Sequence, residues 1–569
     1  MTNPYDLVIR NGTILDGSGG DPIDGDVAVH GGVIRELGRV AGRGAQEIDA
    51  KGCFVSPGFV DIHTHYDGQA TWDSCLAPSS WHGATTVVMG NCGVGFAPCR
   101  PEDRGILVRL MEGVEDIPGA ALAEGLPWTW QSFPEFLDAL EARAHDVDIA
   151  AMVPHGALRV FAMGARGVRR EPATVEDITT MASLVRDALR AGAIGLSTSR
   201  TVLHRTADGD PTPMLGAARA ELVGIADGLG RERTGVFQMV SDFRELDLEV
   251  AMLVEIAERT RRPVSFSLVQ NDYRPGQWRE LLRSTDAAAS RGLSLRAQVF
   301  TRPIGLVMGL DTSLNPLQGR PSYEAVSKLP RGERWRRLSD AELRARILSE
   351  EPERQPPFFA MFGQRWERYF PMDDPPDYEP RPEASVLAIA QRLNKDPLAV
   401  VYDALLSADG SGLLYVPFLN FTDGSLDAVR EMMVHPRAVF GLADGGAHVG
   451  TISDASATTT TMTHWGRDRE NGRLPLPWLI RFLTRAPAEA VGLLDRGLIE
   501  RGKKADLVVF DLDALGAARP QIHWDLPGSG RRFLQRASGY RATVVGGQVT
   551  YRDGVATGAL PGRLVRGQS

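Results

Sequence analysis

Ser56-Pro57-Gly58-Phe59-Val60-Asp61-Ile62-His63-Thr64-His65 is the stretch whose reading decides the fold. An apolar run enters through a Pro-Gly approach and ends on two histidines two residues apart. Side chains alternate faces along a strand, so His63 and His65 point the same way. Two imidazoles on one side of a strand end can share a metal ion. The motif lies near the start of a 569-residue chain, and strands that end in chemistry at their C-terminal tips are the habit of parallel α/β barrels.

Outward from that stretch, apolar strands alternate with amphipathic helical patterns such as Val175–Ala191 and Leu246–Thr260, which indicates βα units around a parallel sheet. Candidate strands fall at 59–63, 84–90, 148–154, 193–197, 235–240, 263–269, 294–300 and 438–444. Eight is the number that closes a TIM-like (β/α)8 barrel. The gap from about 303 to 437 is too long for one loop. It holds a charged helical piece over 334–351, Pro-rich turns at Pro356-Pro357 and Pro375-Pro376, and a helix over 384–393. It reads as an insertion on the seventh loop, covering the barrel mouth. Short strands with hairpin signals (Asn11-Gly12, Gly31-Gly32, Gly546-Gly547) flank the middle at both ends. The expected α/β architecture is a barrel over 57–490 and a small β-sandwich built from 1–56 and 491–569.

Composition narrows the function. A net charge of -9 offers no basic surface for phosphate backbones, so nucleic acid is excluded as a partner. No apolar run reaches the ~20 residues of a membrane helix, and Met1–Asp6 lacks the basic and apolar regions of a signal peptide. Cys53, Cys75, Cys92 and Cys99 are too few for a disulfide framework in so long a chain. A cytoplasmic protein is expected, with the choice between monomer and homo-oligomer left open.

In a parallel barrel the strand ends meet on one face. They bring His63 and His65, then Cys92 within Gly90-Asn91-Cys92-Gly93, then His155, then Ser197, Ser199 and Arg200. Gln238, Ser267 and Gln270, Gln298 and Arg302, and finally Asp444 complete the ring. Two imidazoles, a thiolate and a carboxylate converging there suit zinc. Cys92 alone could equally be a buried packing thiol.

The chain resembles the amidohydrolase superfamily, and within it the D-aminoacylase (N-acyl-D-amino-acid deacylase) branch. The resemblance rests on Pro57–His65, on Gly90-Asn91-Cys92-Gly93 with Ala97-Pro98, and on Pro154-His155-Gly156-Ala157-Leu158-Arg159. Ser197-Thr198-Ser199, the Asp444 strand and Gly502–Val509 extend it over nearly the whole chain. It implies a metal-bearing barrel with a β-sandwich and a small-molecule amide as substrate. It also implies His63, His65, Cys92 and Asp444 as metal ligands, with Asp444 passing a proton from water to the leaving amine. His155 is expected to orient or polarise the substrate, and Ser199, Arg200, His204, Gln238, Gln270, Arg302 and His448 to line it; for His155, His204 and His448 a purely structural, hydrogen-bonded role is the alternative.

The superfamily often bridges two metals with a carboxylated lysine on the fourth strand; no lysine lies between Lys51 and Lys328, so that arrangement is excluded, and Cys92 matches the cysteine the branch uses instead. Departures from the branch matter as much. Gln238 stands where the fifth strand supplies a histidine, Leu268 is read at the sixth-strand position, and no histidine occurs between His204 and His435. One Zn²⁺ per chain follows. Val240 and Gln270 replace two cations of the branch, which disfavours a substrate with a free carboxylate unless Arg200 or Arg302 compensates. A non-hydrolytic reaction on the same metal barrel (dehydration, condensation or decarboxylation) and a non-catalytic assembly role are the alternative readings.

Overall fold

The structure is a computed structural model that describes residues 4–356, 359 and 363–567; Met1–Asn3, the first half of the stretch read for a signal peptide, and Pro357 lie outside them. Eight strands form one parallel sheet: β1 (Phe59–Asp61), β2 (Ala84–Met89), β3 (Asp148–Pro154), β4 (Gly195–Arg200), β5 (Val236–Ser241), β6 (Val264–Leu268), β7 (Leu295–Val299) and β8 (Ala438–Phe440). They neighbour one another in chain order, and helices such as Val175–Ala191, Arg219–Glu232 and Leu246–Thr260 fill the crossovers. The first and last strands close through their extensions: Asp444 N–H donates to His63 O at 3.1 Å and His65 N–H to Gly445 O at 2.8 Å. Barrel closure therefore brings the last strand's aspartate to the first strand's histidines.

A nine-stranded sheet joins the two ends of the chain. Its seam is the antiparallel pair Phe54–Pro57 with Leu507–Phe510, Val55 opposite Val509. Alternating Leu7, Ile9, Val27 and Val29 pack with Leu507 and Val509 in one core, as half-buried strands require.

Residues 304–437 carry a core of their own, around Tyr323, Ile347, Tyr402 and Leu405. A three-stranded sheet of Ile304–Gly309, Phe370–Pro371 and Leu413–Leu419 supports it. The charged stretch expected as one helix over 334–351 is two, Arg331–Leu338 and Ala341–Ser349. Asp340 separates them because its carboxylate accepts from Leu343 N–H, the geometry of a helix N-cap. The insertion leans on the loop after Asp444, where Val307 N–H donates to Thr451 O at 2.7 Å. Trp128, Trp130, Phe133 and Phe136 form a chain of edge-on and tilted rings, with Trp130 buried in the large core. Among the described residues, no helix is long and apolar enough to cross a membrane.

Candidate metal centre

At the C-terminal end of the barrel the ligand atoms of His63, His65 and Cys92 lie within 4.8 Å of one another, all buried. Cys92 Sγ is 3.2 Å from His63 Nε2. Asp444 Oδ1 is 3.5 Å from His63 Nε2 and 3.8 Å from His65 Nε2, and it has no hydrogen-bond partner. The tautomers follow from the outer neighbours. His63 Nδ1 lies 2.7 Å from the Gln298 carbonyl oxygen, which can only accept, so Nδ1 carries the proton and Nε2 a lone pair. Gln298 is oriented for this by its own Nε2 donating to Ser265 Oγ at 3.1 Å. His65 Nδ1 lies 3.1 Å from Glu115 Oε1, too misaligned for a formal hydrogen bond, yet the carboxylate again favours N–H on that side. Both Nε2 lone pairs face Asp444.

Strained backbone delivers these groups. Cys92 (φ 54°), Asp444 (φ 47°) and His448 (φ 50°) all adopt the left-handed region, which costs a non-glycine residue about 1–3 kcal/mol. The Cys92 loop is held by Ser197, whose Oγ donates to Gly90 O and accepts from Gly93 N–H at 2.9 Å. At Gly90 (φ 79°) a Cβ would fall 2.1 Å from Met152 O, so only glycine fits.

Burial sets the electrostatics. It lowers His63 to about 4 against the pull of its Gln298 hydrogen bond, and holds His65 well below the usual imidazole range. Burial pushes Asp444 up to about 6, with His448 opposing, and raises Glu115 and the Cys92 thiol well above their ordinary values. Neutral imidazoles with inward lone pairs, beside acids destabilised as anions, are what a buried cation offsets. The donor set of two nitrogens, one sulfur and one oxygen fits a tetrahedral divalent metal such as zinc.

Other expected site residues fall into two groups. His204 and His448 are near: His448 Nε2 is 3.6 Å from Glu115 Oε2, and Ser199 Oγ is 3.0 Å from His204 Nδ1. Gln238 reaches the centre through its Oε1, 3.4 Å from Cys92 N–H, while its Nε2 is buried without a partner. His155 is not gathered in. Its nitrogens meet Thr198 Oγ1 at 2.9 Å and Glu221 Oε1 at 3.0 Å, and Glu221 also pairs with Arg159 at 2.9 Å. Thr198 alternates with Ser197 and Ser199, so this network lies on the helix side of β4. Arg200, Arg302 and Gln270 stand at their strand ends bound to other protein groups. Leu268 joins Phe266 in the large core, leaving Ser267, with an unpartnered Oγ, on the opposite face of β6.

Glu115, at the end of the helix Arg104–Glu115, escaped the sequence reading although it touches both His65 and His448. A glutamate on the buried face of an amphipathic helix, among Leu107, Leu110, Met111 and Val114, was the available signal.

The family model for the amidohydrolase family matches residues 46–551. The chain belongs to the amidohydrolase family. This amidohydrolase is 26% identical over 573 residues to D-aminoacylase of Alcaligenes xylosoxydans xylosoxydans, covering 99% of this chain and 98% of that one. It is 27% identical to N-acyl-D-aspartate deacylase of the same organism, covering 98% and 95%. A solved D-aminoacylase, described for its binuclear metal centre, superposes with a TM-score of 0.66 at 24% identity over 99% of this chain and 100% of that one. N-acyl-D-glutamate deacylase of Bordetella bronchiseptica, solved with zinc and a phosphonate inhibitor, gives a TM-score of 0.64 at 23% identity over 99% of both chains. At these identities the solved structures share the fold with this amidohydrolase.

Proposed function

We propose that this amidohydrolase cleaves the C–N bond of a small-molecule amide with one zinc ion held by His63, His65, Cys92 and Asp444. The observation that carries this reading is the convergence of His63, His65 and Cys92 within 4.8 Å beside an unpartnered, buried Asp444. When bound, the metal acts as a Lewis acid on the amide carbonyl and acidifies water. The protein's own part is positional and proton-transferring. Asp444 receives the proton of the attacking water on a carboxylate oxygen and returns it to the leaving nitrogen, help worth roughly 10²–10⁴-fold. His204 and His448 line the approach and orient the amide. His155, held by Thr198 and Glu221, keeps β4 packed on the helix Arg219–Glu232.

Two observations support one metal. Gln238 is a weak zinc ligand whose oxygen accepts from Cys92 N–H, and β6 turns serines, Ser265 and Ser267, away from the large core. Elemental analysis of purified protein is expected to give close to one zinc per chain, with His63→Ala losing both metal and amide hydrolysis. Two tightly bound ions, or a metal-free His63→Ala that still hydrolyses amides, would contradict the proposal.

A further inference from the structure

We infer that the substrate carries no carboxylate on the amine side of its scissile amide. This rests on the amide-hydrolysis reading and adds the charge of what is cleaved.

Both arginines that the strand ends deliver are neutralised inside the protein. Arg200 donates from Nη1 to Ala217 O at 2.7 Å, and its Nε lies 3.4 Å from Glu249 Oε2. Arg302 is buried; it donates to Ser456 Oγ at 3.0 Å, to Asp454 Oδ1 at 2.9 Å and to Ser453 O. Its guanidinium carbon sits 3.7 Å above the Tyr378 ring, which fixes the plane of the fork. Turning either arginine toward a ligand breaks its pairing with buried Glu249 or Asp454. Gln270 is committed as well, its Nε2 to Asp423 at 2.9 Å and its Oε1 to Thr422 N–H at 3.3 Å. Val240 shares the face of Gln238, one step nearer the end of β5.

The surroundings of Asp444 are acidic instead. Asp61, Asp67 and Glu115 are buried in the segments that carry the two histidines and the neighbouring helix end. An entering carboxylate therefore meets further buried acid groups and no uncommitted arginine at these strand ends. An uncharged amine side meets donors that still want partners: Gln238 Nε2 and Ser267 Oγ are buried and unpaired. The substrate class that fits is a neutral amide, such as a carboxamide-capped or cyclic amide.

The test offers matched N-acetyl amino acids and their carboxamides, in both configurations, to the zinc-loaded full chain. It reads kcat/KM and, separately, equilibrium binding by calorimetry. Carboxamides are expected to be favoured by about 10- to 100-fold, the worth of one charge-assisted contact. Asp454→Asn, which frees Arg302, should move the ratio toward carboxylates; the wild-type binding ratio of carboxamide to carboxylate decides the matter if that variant does not fold. Tighter carboxamide binding without any turnover would remove the hydrolytic reading and keep the charge inference. Carboxylates binding as tightly as carboxamides, or neither binding, would overturn it.

Discussion

Glu115 shows how one residue can set two others. Its carboxylate lies 3.1 Å from His65 Nδ1 and 3.6 Å from His448 Nε2, so it favours the His65 tautomer that turns Nε2 inward. Outer partners of this kind are typically worth about 10–100-fold in metal affinity. Glu115→Gln is expected to weaken zinc binding by that factor, measured by competition with a chelator of known affinity. Unchanged zinc affinity in a folded Glu115→Gln protein would reduce Glu115 to a packing group. Gln298 acts comparably on His63 through its carbonyl oxygen, and its pairing with Ser265 makes the orientation single-valued.

Among the elements, the Gly90–Gly93 turn shows why a ligand can depend on residues that coordinate nothing. Ser197 clasps the turn from β4, and Asp67 accepts from Gly90 N–H at 3.2 Å. Gly90→Ala would press a methyl against Met152 O, 2.1 Å away, at φ 79°. We expect a loss of about 2–4 kcal/mol of stability, read by denaturant unfolding, together with lowered zinc content as Cys92 shifts. Gly209→Ala is the control, since it has φ 85° but nothing within 4 Å; it should cost only the conformational strain. Equal losses in the two variants would show that steric contact with Met152 is unimportant.

At the scale of the whole molecule, the barrel and the nine-stranded sheet are joined by a buried charge cluster. Asp148, at the start of β3, accepts from Arg496 Nη1 at 2.6 Å and lies 2.9 Å from Lys504 Nζ. Arg496 also donates to Thr86 Oγ1 on β2 at 2.8 Å, and Lys504 pairs with Asp506 at 2.5 Å. Burial opposes ionisation of Asp148, but Lys504 and Arg496 outweigh it and hold its carboxyl below the ordinary range. A depressed carboxyl contributes stability above its unfolded value, near 3.9, and loses it as pH falls through the folded value. Asp148→Asn should therefore cost about 1.5–3 kcal/mol near neutral pH, because buried Arg496 and half-buried Lys504 each lose one charge-assisted partner while keeping Asp506. The deficit should shrink as the wild type is acidified. A pH-independent difference, followed by denaturant unfolding, would assign the cost to packing instead.

The barrel strands and the shared face of His63 and His65 were legible in the sequence because their signals are local, whereas Cys92 and Asp444 were singled out by their strand-end positions and the family resemblance. Apolar runs bounded by turns mark strands, and a two-residue histidine spacing marks a shared face. Their convergence within 4.8 Å for the first three, Glu115 against His65, and the neutralisation of Arg200 and Arg302 by Glu249 and Asp454 belong to tertiary structure. A residue's type states what it can donate or accept. Which partner satisfies it depends on contacts between segments as distant in sequence as Arg302 and Asp454, brought together when the seventh and eighth strands pair.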